Sequence, residues 1–178
     1  MNNLQLIKEI NNGSLDEKLT LLYGKENVIP ARERYIKAIS EFTALYGDGR
    51  ELGIYTVAGR SELSGNHTDH NHGCVVAASI SLDIIAIASP TSDGIVRVKS
   101  EGFPEDIVDI NAYTAPIESK FGTSESIIAG MCAGFKKNGH KTGGFVAYTT
   151  SSVLKGSGLS SSAAFEDMIG NLLSHMYN

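Results

Sequence analysis

The sequence has no surplus of basic residues, no long apolar run and little cysteine, and each shortage closes off a class of function. Fifteen Lys and Arg stand against twenty Asp and Glu, for a net charge of −5. The basic footprint of a nucleic-acid-binding protein is therefore missing, and no nucleic-acid partner is expected. An anionic ligand would have to be met by local backbone dipoles and single basic side chains. The longest apolar stretch, around Ile84 to Ala88, falls far short of the roughly 18 residues of a membrane span. Met1 to Leu6 show no basic segment followed by an apolar run, so no signal peptide is expected. Cys74 and Cys132 sit in apolar surroundings and read as two buried thiols of a reducing cytoplasm, not as a disulfide. No Gly-Lys-Ser/Thr occurs anywhere, which excludes a Walker A loop.

What is present fits one soluble globular domain: 42% apolar and 20% charged residues in a chain of 178, enough for one core and too few for two ordinary domains. The first forty-odd residues read as helical. Leu4, Ile7 and Ile10 keep helical spacing, and Ser14 with Glu17 forms a capping box ahead of Leu15, Leu19 and Leu22. Pro30 suits the first turn of a third helix, with Ile36, Ile39 and Phe42 on one face and Gly47 and Gly49 at its end. After Gly49 the period changes to that of strands, at 52–58, 73–80, 82–89, 95–99 and 107–111, with a turn at Asp93-Gly94. A helix follows over 121–137, with Ile127, Ile128, Met131 and Phe135 on one stripe. A strand at 144–150 and a helix at 160–175 close the chain. Helices, a run of strands, then helix, strand and helix argue for an α+β fold with a largely antiparallel sheet.

Two segments carry chemistry. Lys155-Gly156-Ser157-Gly158-Leu159-Ser160-Ser161-Ser162-Ala163-Ala164 runs from a predicted strand into a predicted amphipathic helix. Glycines let backbone N–H groups converge, and a helix start adds unpaired donors and a partial positive charge, which together make a phosphate cradle. Serine hydroxyls add donors and can ligate Mg²⁺. A plain serine N-cap or a flexible linker is the simpler alternative, and position between strand and helix favours the cradle. The second segment, Gly59-Arg60-Ser61-Glu62-Leu63-Ser64-Gly65-Asn66-His67-Thr68-Asp69-His70-Asn71-His72-Gly73, is read as a charged loop between two strands. Asp69 can accept from two hydroxyls, and Asn66 and His67 can donate or accept, which suits a polyhydroxylated ligand. His67, His70 and His72 could instead hold a metal, although they lack His-Glu-x-x-His spacing, or be solvated loop residues. Arg60 could equally pair with Glu62 or Asp69.

In order and separation these segments resemble the first two signatures of the GHMP kinase superfamily, and specifically of the galactokinase family. Gly59 to Gly73 follows the pattern Gly-Arg-x-Asn-Leu/Ile-Ile-Gly-Glu-His-Thr-Asp-Tyr-Asn-x-Gly, and Gly158 to Ala163 matches Gly-Leu-Ser-Ser-Ser-Ala in full. The resemblance implies the superfamily's N-terminal domain (ribosomal protein S5 domain 2-like), incomplete, over 49–178, with 1–48 as an N-terminal helical extension. It implies a sugar-1-kinase that uses ATP and Mg²⁺ in the cytoplasm. Arg60 corresponds to the catalytic arginine, Asn66, His67 and Asp69 to sugar-binding residues, and Gly156, Ser157, Gly158, Leu159, Ser160, Ser161, Ser162 and Ala163 to the nucleotide loop, with Ser162 as the Mg²⁺-contacting serine. Asn66 stands where the family has Glu, His70 where it has Tyr, and Glu62 where it has Asn, so the identity of the sugar is the open question. The family's catalytic Asp lies in a Gly-x-x-Asp-Gln-type motif that these 178 residues do not contain. The chain alone is therefore expected to be inactive and, with uncovered edges, prone to dimerise. The alternative to a kinase is a galactokinase-like sugar sensor without turnover.

Overall fold

The computed structural model describes residues 1–66, 68, 71–112, 118–153 and 161–178. Helices α1 (Asn3–Asn11), α2 (Asp16–Tyr23) and α3 (Val28–Tyr46) come first. Strands β1 (Gly53–Ser64), β2 (Val76–Thr91), β3 (Ile95–Ser100) and β4 (Glu105–Asp109) follow, then α4 (Ser124–Lys137), β5 (Gly144–Ser151) and α5 (Ser161–Tyr177). The sheet order is β1-β2-β5-β3-β4. Every pairing is antiparallel except β3 with β5. The α+β assignment holds.

The two central strands explain the layering. Residues 83–89 of β2 and 144–149 of β5 are buried without interruption, as strands covered on both faces must be. Alternate side chains then serve different cores. Ile84, Ala86, Ala88, Phe145 and Ala147 pack with Ile128 of α4 and with Met168, Ile169 and Leu172 of α5. Ile85, Ile87, Val146 and Tyr148 pack with Leu6, Ile10, Leu19, Ile39 and Phe42 of the first three helices. Helix α3 holds the second core together. Its 19 residues span roughly 28 Å, Pro30 sits in its first turn, and Gly47 ends it at φ 81°.

Several local expectations change. No capping box forms at Ser14, whose hydroxyl turns back to Glu9 and Asn12, and α2 starts from Leu15 without a side-chain cap. The box forms at Asn2 and Gln5 instead. The two strands expected around residue 81 are one strand, β2. The supposed loop after residue 58 is strand as far as Ser64, because β1 and β2 continue as a paired arm beyond the helices. That arm also explains Cys74, which lies just before β2 and is exposed. Cys132 faces the core, and burial pushes its thiol up to about 11.

One buried carboxylate joins the layers. Asp83 of β2 is 4% exposed and pairs with Arg34 of α3. It also accepts from the Tyr23 hydroxyl of α2 and the Thr56 hydroxyl of β1, both at 2.5 Å. Among the described residues no buried side-chain polar atom lacks a partner.

Because Phe42 is fully buried between α3 and the sheet, Phe42→Ala should cost about 3–5 kcal/mol. The loss should appear in urea denaturation as an earlier, single transition; a separate early transition for the helices would contradict a shared core.

Candidate functional site

The β1–β2 arm places the first group of candidate residues. Ala58 pairs with Asp83, but Arg60 pairs with Ser79, so β2 sets residues 80–82 against the single Gly59. Such an irregularity bends the strand and re-aims the side chains beyond it. Arg60 lies just past it, in strand and half-buried. The arm ends in a tight polar turn. The Thr68 hydroxyl donates to the Gly65 carbonyl at 2.8 Å, and the Thr68 carbonyl accepts from the N–H groups of Asn71 and Gly73. Two glycines of the motif are set by this packing. A Cβ on Gly65, at φ 121°, would fall 2.6 Å from Val75 Cα, and one on Gly73 would meet the Thr68 hydroxyl. Asn66 adopts φ 55°, a left-handed conformation that Asn tolerates better than most residues. His67, Asp69 and His70 lie outside the described residues. His72 is exposed, with φ 63°.

The second group meets at a cleft. Of Gly156 to Ala163, residues 156–160 lie outside the described residues, while Ser161, Ser162 and Ala163 form the first turn of α5. Ser161 and Ser162 line a cleft of about 590 Å³, within the usual range for small-molecule sites. Its apolar wall includes Ile84, Phe103, Ile127, Val153 and Phe165. Ser124, the first residue of α4, stands on the β3–β4 side. The first turns of two helices thus face one cavity, and the partial positive charge of a helix N-terminus favours an anion. The first turn of α5 carries no carboxylate to compensate that charge.

The sequence reading missed the far wall. Asp106 of β4 accepts from the Ser124 hydroxyl at 2.7 Å, and the Thr149 hydroxyl meets the Ser100 hydroxyl at 2.9 Å. Burial raises the Asp106 carboxyl above its ordinary value, with the Ser124 bond opposing and Glu125 adding to the rise. Thr123, inside the helix expected from residue 121, is instead the N-cap of α4. Glu101 also lines the cleft. It is held below its usual value by hydrogen bonds from Lys37 and Thr150.

Comparisons with known proteins bear on the same segments. The galactokinase galactose-binding signature matches residues 40–90. The chain is 34% identical over 137 residues to the galactokinase of Streptomyces coelicolor, covering 76% of this chain and 35% of that protein. It is 32% identical over 155 residues to a galactokinase of Lactococcus lactis, covering 85% of this chain and 39% of that one. The chain thus spans little more than a third of the length of these relatives. Among solved structures, Lactococcus lactis galactokinase complexed with galactose aligns at a TM-score of 0.67 and 29% identity, over 76% of this chain and 35% of that one. Methanococcus jannaschii mevalonate kinase aligns at 0.56 and 16% identity, over 72% and 41%, which speaks to fold alone.

The raised Asp106 carboxyl gives a pH signature. A carboxyl that ionises less readily when folded weakens the fold above its folded pKa, and the penalty vanishes as pH drops through the ordinary carboxylate range. Asp106→Asn should therefore stabilise the protein at neutral pH and make no difference below about pH 4, as read from thermal melts across that window. An Asn variant less stable at pH 7 than the native protein would contradict the assignment.

Proposed function

The chain is a galactokinase-like member of the GHMP kinase superfamily, and from that premise we propose that the whole protein transfers the γ-phosphoryl group of ATP to the C1 hydroxyl of galactose or a closely related sugar. The observation that carries the proposal is the galactose-binding signature over residues 40–90, the stretch that holds Arg60 and the polar turn of the β1–β2 arm. On this reading Asp69 accepts hydrogen bonds from sugar hydroxyls, while Asn66 and His67 donate or accept. The cleft between the first turns of α4 and α5 takes the nucleotide, its apolar wall against the base and its helix N-termini towards phosphate. Gly156 to Ala163 wrap the phosphate oxygens with backbone N–H groups.

The residues present fit Mg²⁺ as a nucleotide-borne ion. Mg²⁺ usually takes one or two protein ligands beside phosphate oxygens, and the exposed Ser162 hydroxyl in the first turn of α5 is the one this chain would give. Bound Mg²⁺ neutralises phosphate charge. Arg60 stabilises the charge that grows on the transferring group, and the two binding segments orient the reactants, which is most of what phosphoryl transfer requires. Sugar and nucleotide would meet in the cytoplasm. The sensor reading draws on Asn66, which offers a donor where the family pattern has a carboxylate.

The full-length protein should show a thermal shift with a galactose-type hexose, enlarged by MgATP, and should release ADP with that sugar. Arg60→Ala should lower kcat about 100-fold or more, the scale of losing one charge-stabilising group. Binding of the sugar without any turnover would turn the case to the sensor. Unchanged turnover in Arg60→Ala would sink the assignment of that residue.

A further inference from the structure

Asp83 and Ser152 stand directly behind the cleft, and neither belongs to the two motifs. The Ser152 N–H donates to the Asp83 carbonyl at 2.9 Å, and the Asp83 N–H donates to the Ser152 hydroxyl oxygen at 2.9 Å. The Ser152 hydroxyl also lies 3.1 Å from the Asp83 carbonyl and 3.4 Å from its carboxylate. Arg34 reinforces the junction, donating to the Asp83 carbonyl at 3.2 Å and to the Thr150 carbonyl at 3.1 Å. Each partner's chain neighbours belong to the cavity. Ile84 follows Asp83, Ser151 and Val153 flank Ser152, and all three line the cleft. Ser152 is also two residues upstream of the segment 154–160, which contains the glycines of the cradle.

The same carboxylate also binds the strand that leads to Arg60. Thr56 of β1 binds it, and Ala58, the strand partner of Asp83, is the last residue in register before the irregularity that precedes Arg60. A single anchored carboxylate therefore stands where the arm bearing Arg60 and the strand leading to the glycine-rich segment diverge. The arm is held further by β1–β2 pairing, but pairing between β2 and β5 ends at Ile84 with Ser151, so beyond that point the exit of β5 depends on the bonds between Asp83 and Ser152.

We propose that Asp83 and Ser152 are positioning residues that hold the exit of β5 against β2 and thereby set the nucleotide-binding wall formed by Ile84, Ser151 and Val153. They touch neither substrate; they act through Ile84, Ser151 and Val153. The proposal rests on the nucleotide reading of the cleft. Its specific consequence is that loosening this junction weakens nucleotide binding more than sugar binding.

The test uses the full-length protein carrying Ser152→Ala, with Ser152→Thr as the variant that keeps the hydroxyl. Ser152→Ala should raise KM for MgATP about five- to tenfold, the scale of one or two lost hydrogen bonds. KM for the sugar should stay close to its native value, the melting temperature should fall modestly because the buried Asp83 N–H loses its acceptor, and Ser152→Thr should restore KM for MgATP. Asp83→Asn should show the same selectivity with a lower melting temperature. An unchanged KM for MgATP in a folded Ser152→Ala protein would overturn the proposal, as would a parallel rise in both KM values. Hydrogen–deuterium exchange separates this failure from failure of the kinase reading. If the protein phosphorylates nothing, faster exchange across 149–162 in Ser152→Ala, with β3 and β4 unaffected, still supports the junction. Unchanged exchange there refutes it.

Discussion

A carboxylate buried in a protein is costly unless it is paired and fully hydrogen-bonded, and Asp83 meets that condition only when four parts of the chain are in place. Its oxygens need Arg34 from α3, Tyr23 from α2 and Thr56 from β1, and its backbone needs Ser152 from the end of β5. Burial and the adjoining carboxylate raise the Tyr23 hydroxyl far above its usual value, so it stays a donor at any ordinary pH. The pair is a poor source of net stability compared with apolar packing of the same volume. Its consequence is geometric. A rearranged packing of the helices on the sheet would strand an ion in the interior, whereas Ile85, Ile87 and Phe42 would tolerate several arrangements at small cost.

From that constraint the site's location follows. The sheet is buried on both faces along β2 and β5, so no ligand can enter over its middle. Access opens where the strands run out and the covering helices begin. On one face α4 and α5 both begin near the same region, and Ser124, Ser161 and Ser162 line one cavity. The first N–H groups of a helix have no acceptor within the helix itself. The cavity therefore has polar ends made by backbone and an apolar wall made by the same core residues, Ile84 among them, that hold the helices down.

The elements with a strong period were legible in the sequence, and the exceptions have physical causes. Helix α3 shows itself through Pro30, Ile39, Phe42 and Gly47, because a stripe and its terminators are local facts. The length of β2 does not, since Ser81 and Leu82 break the pattern where the strand leaves the core for an exposed arm. Ser14 reads as a cap, yet Glu9 and Asn12 compete for its hydroxyl, and the winner depends on where α1 ends. Of the site, Arg60, Asn66, Ser161 and Ser162 were visible because they cluster in sequence with glycines. Asp106, Ser124, Asp83 and Ser152 were not. Each is an ordinary polar residue whose meaning comes from a partner between 18 and 69 positions away.

The turn at the tip of the arm shows how a departure from the family pattern can have two causes at once. Asn66 has φ 55° and His72 φ 63°, so the turn requires left-handed backbone on both sides of Thr68. Asn takes that conformation at less cost than a longer acidic residue, because its short side chain can hydrogen-bond locally. Asn66 therefore fits this turn's backbone while removing a negative charge from the proposed sugar site. A carboxylate there would accept hydrogen bonds only; the amide also donates. The pattern of hydroxyls that best matches the turn must then present at least one acceptor oxygen towards Asn66. Sugar preference at this site is accordingly coupled to the fold of the turn itself, and Asn66→Glu would change both together.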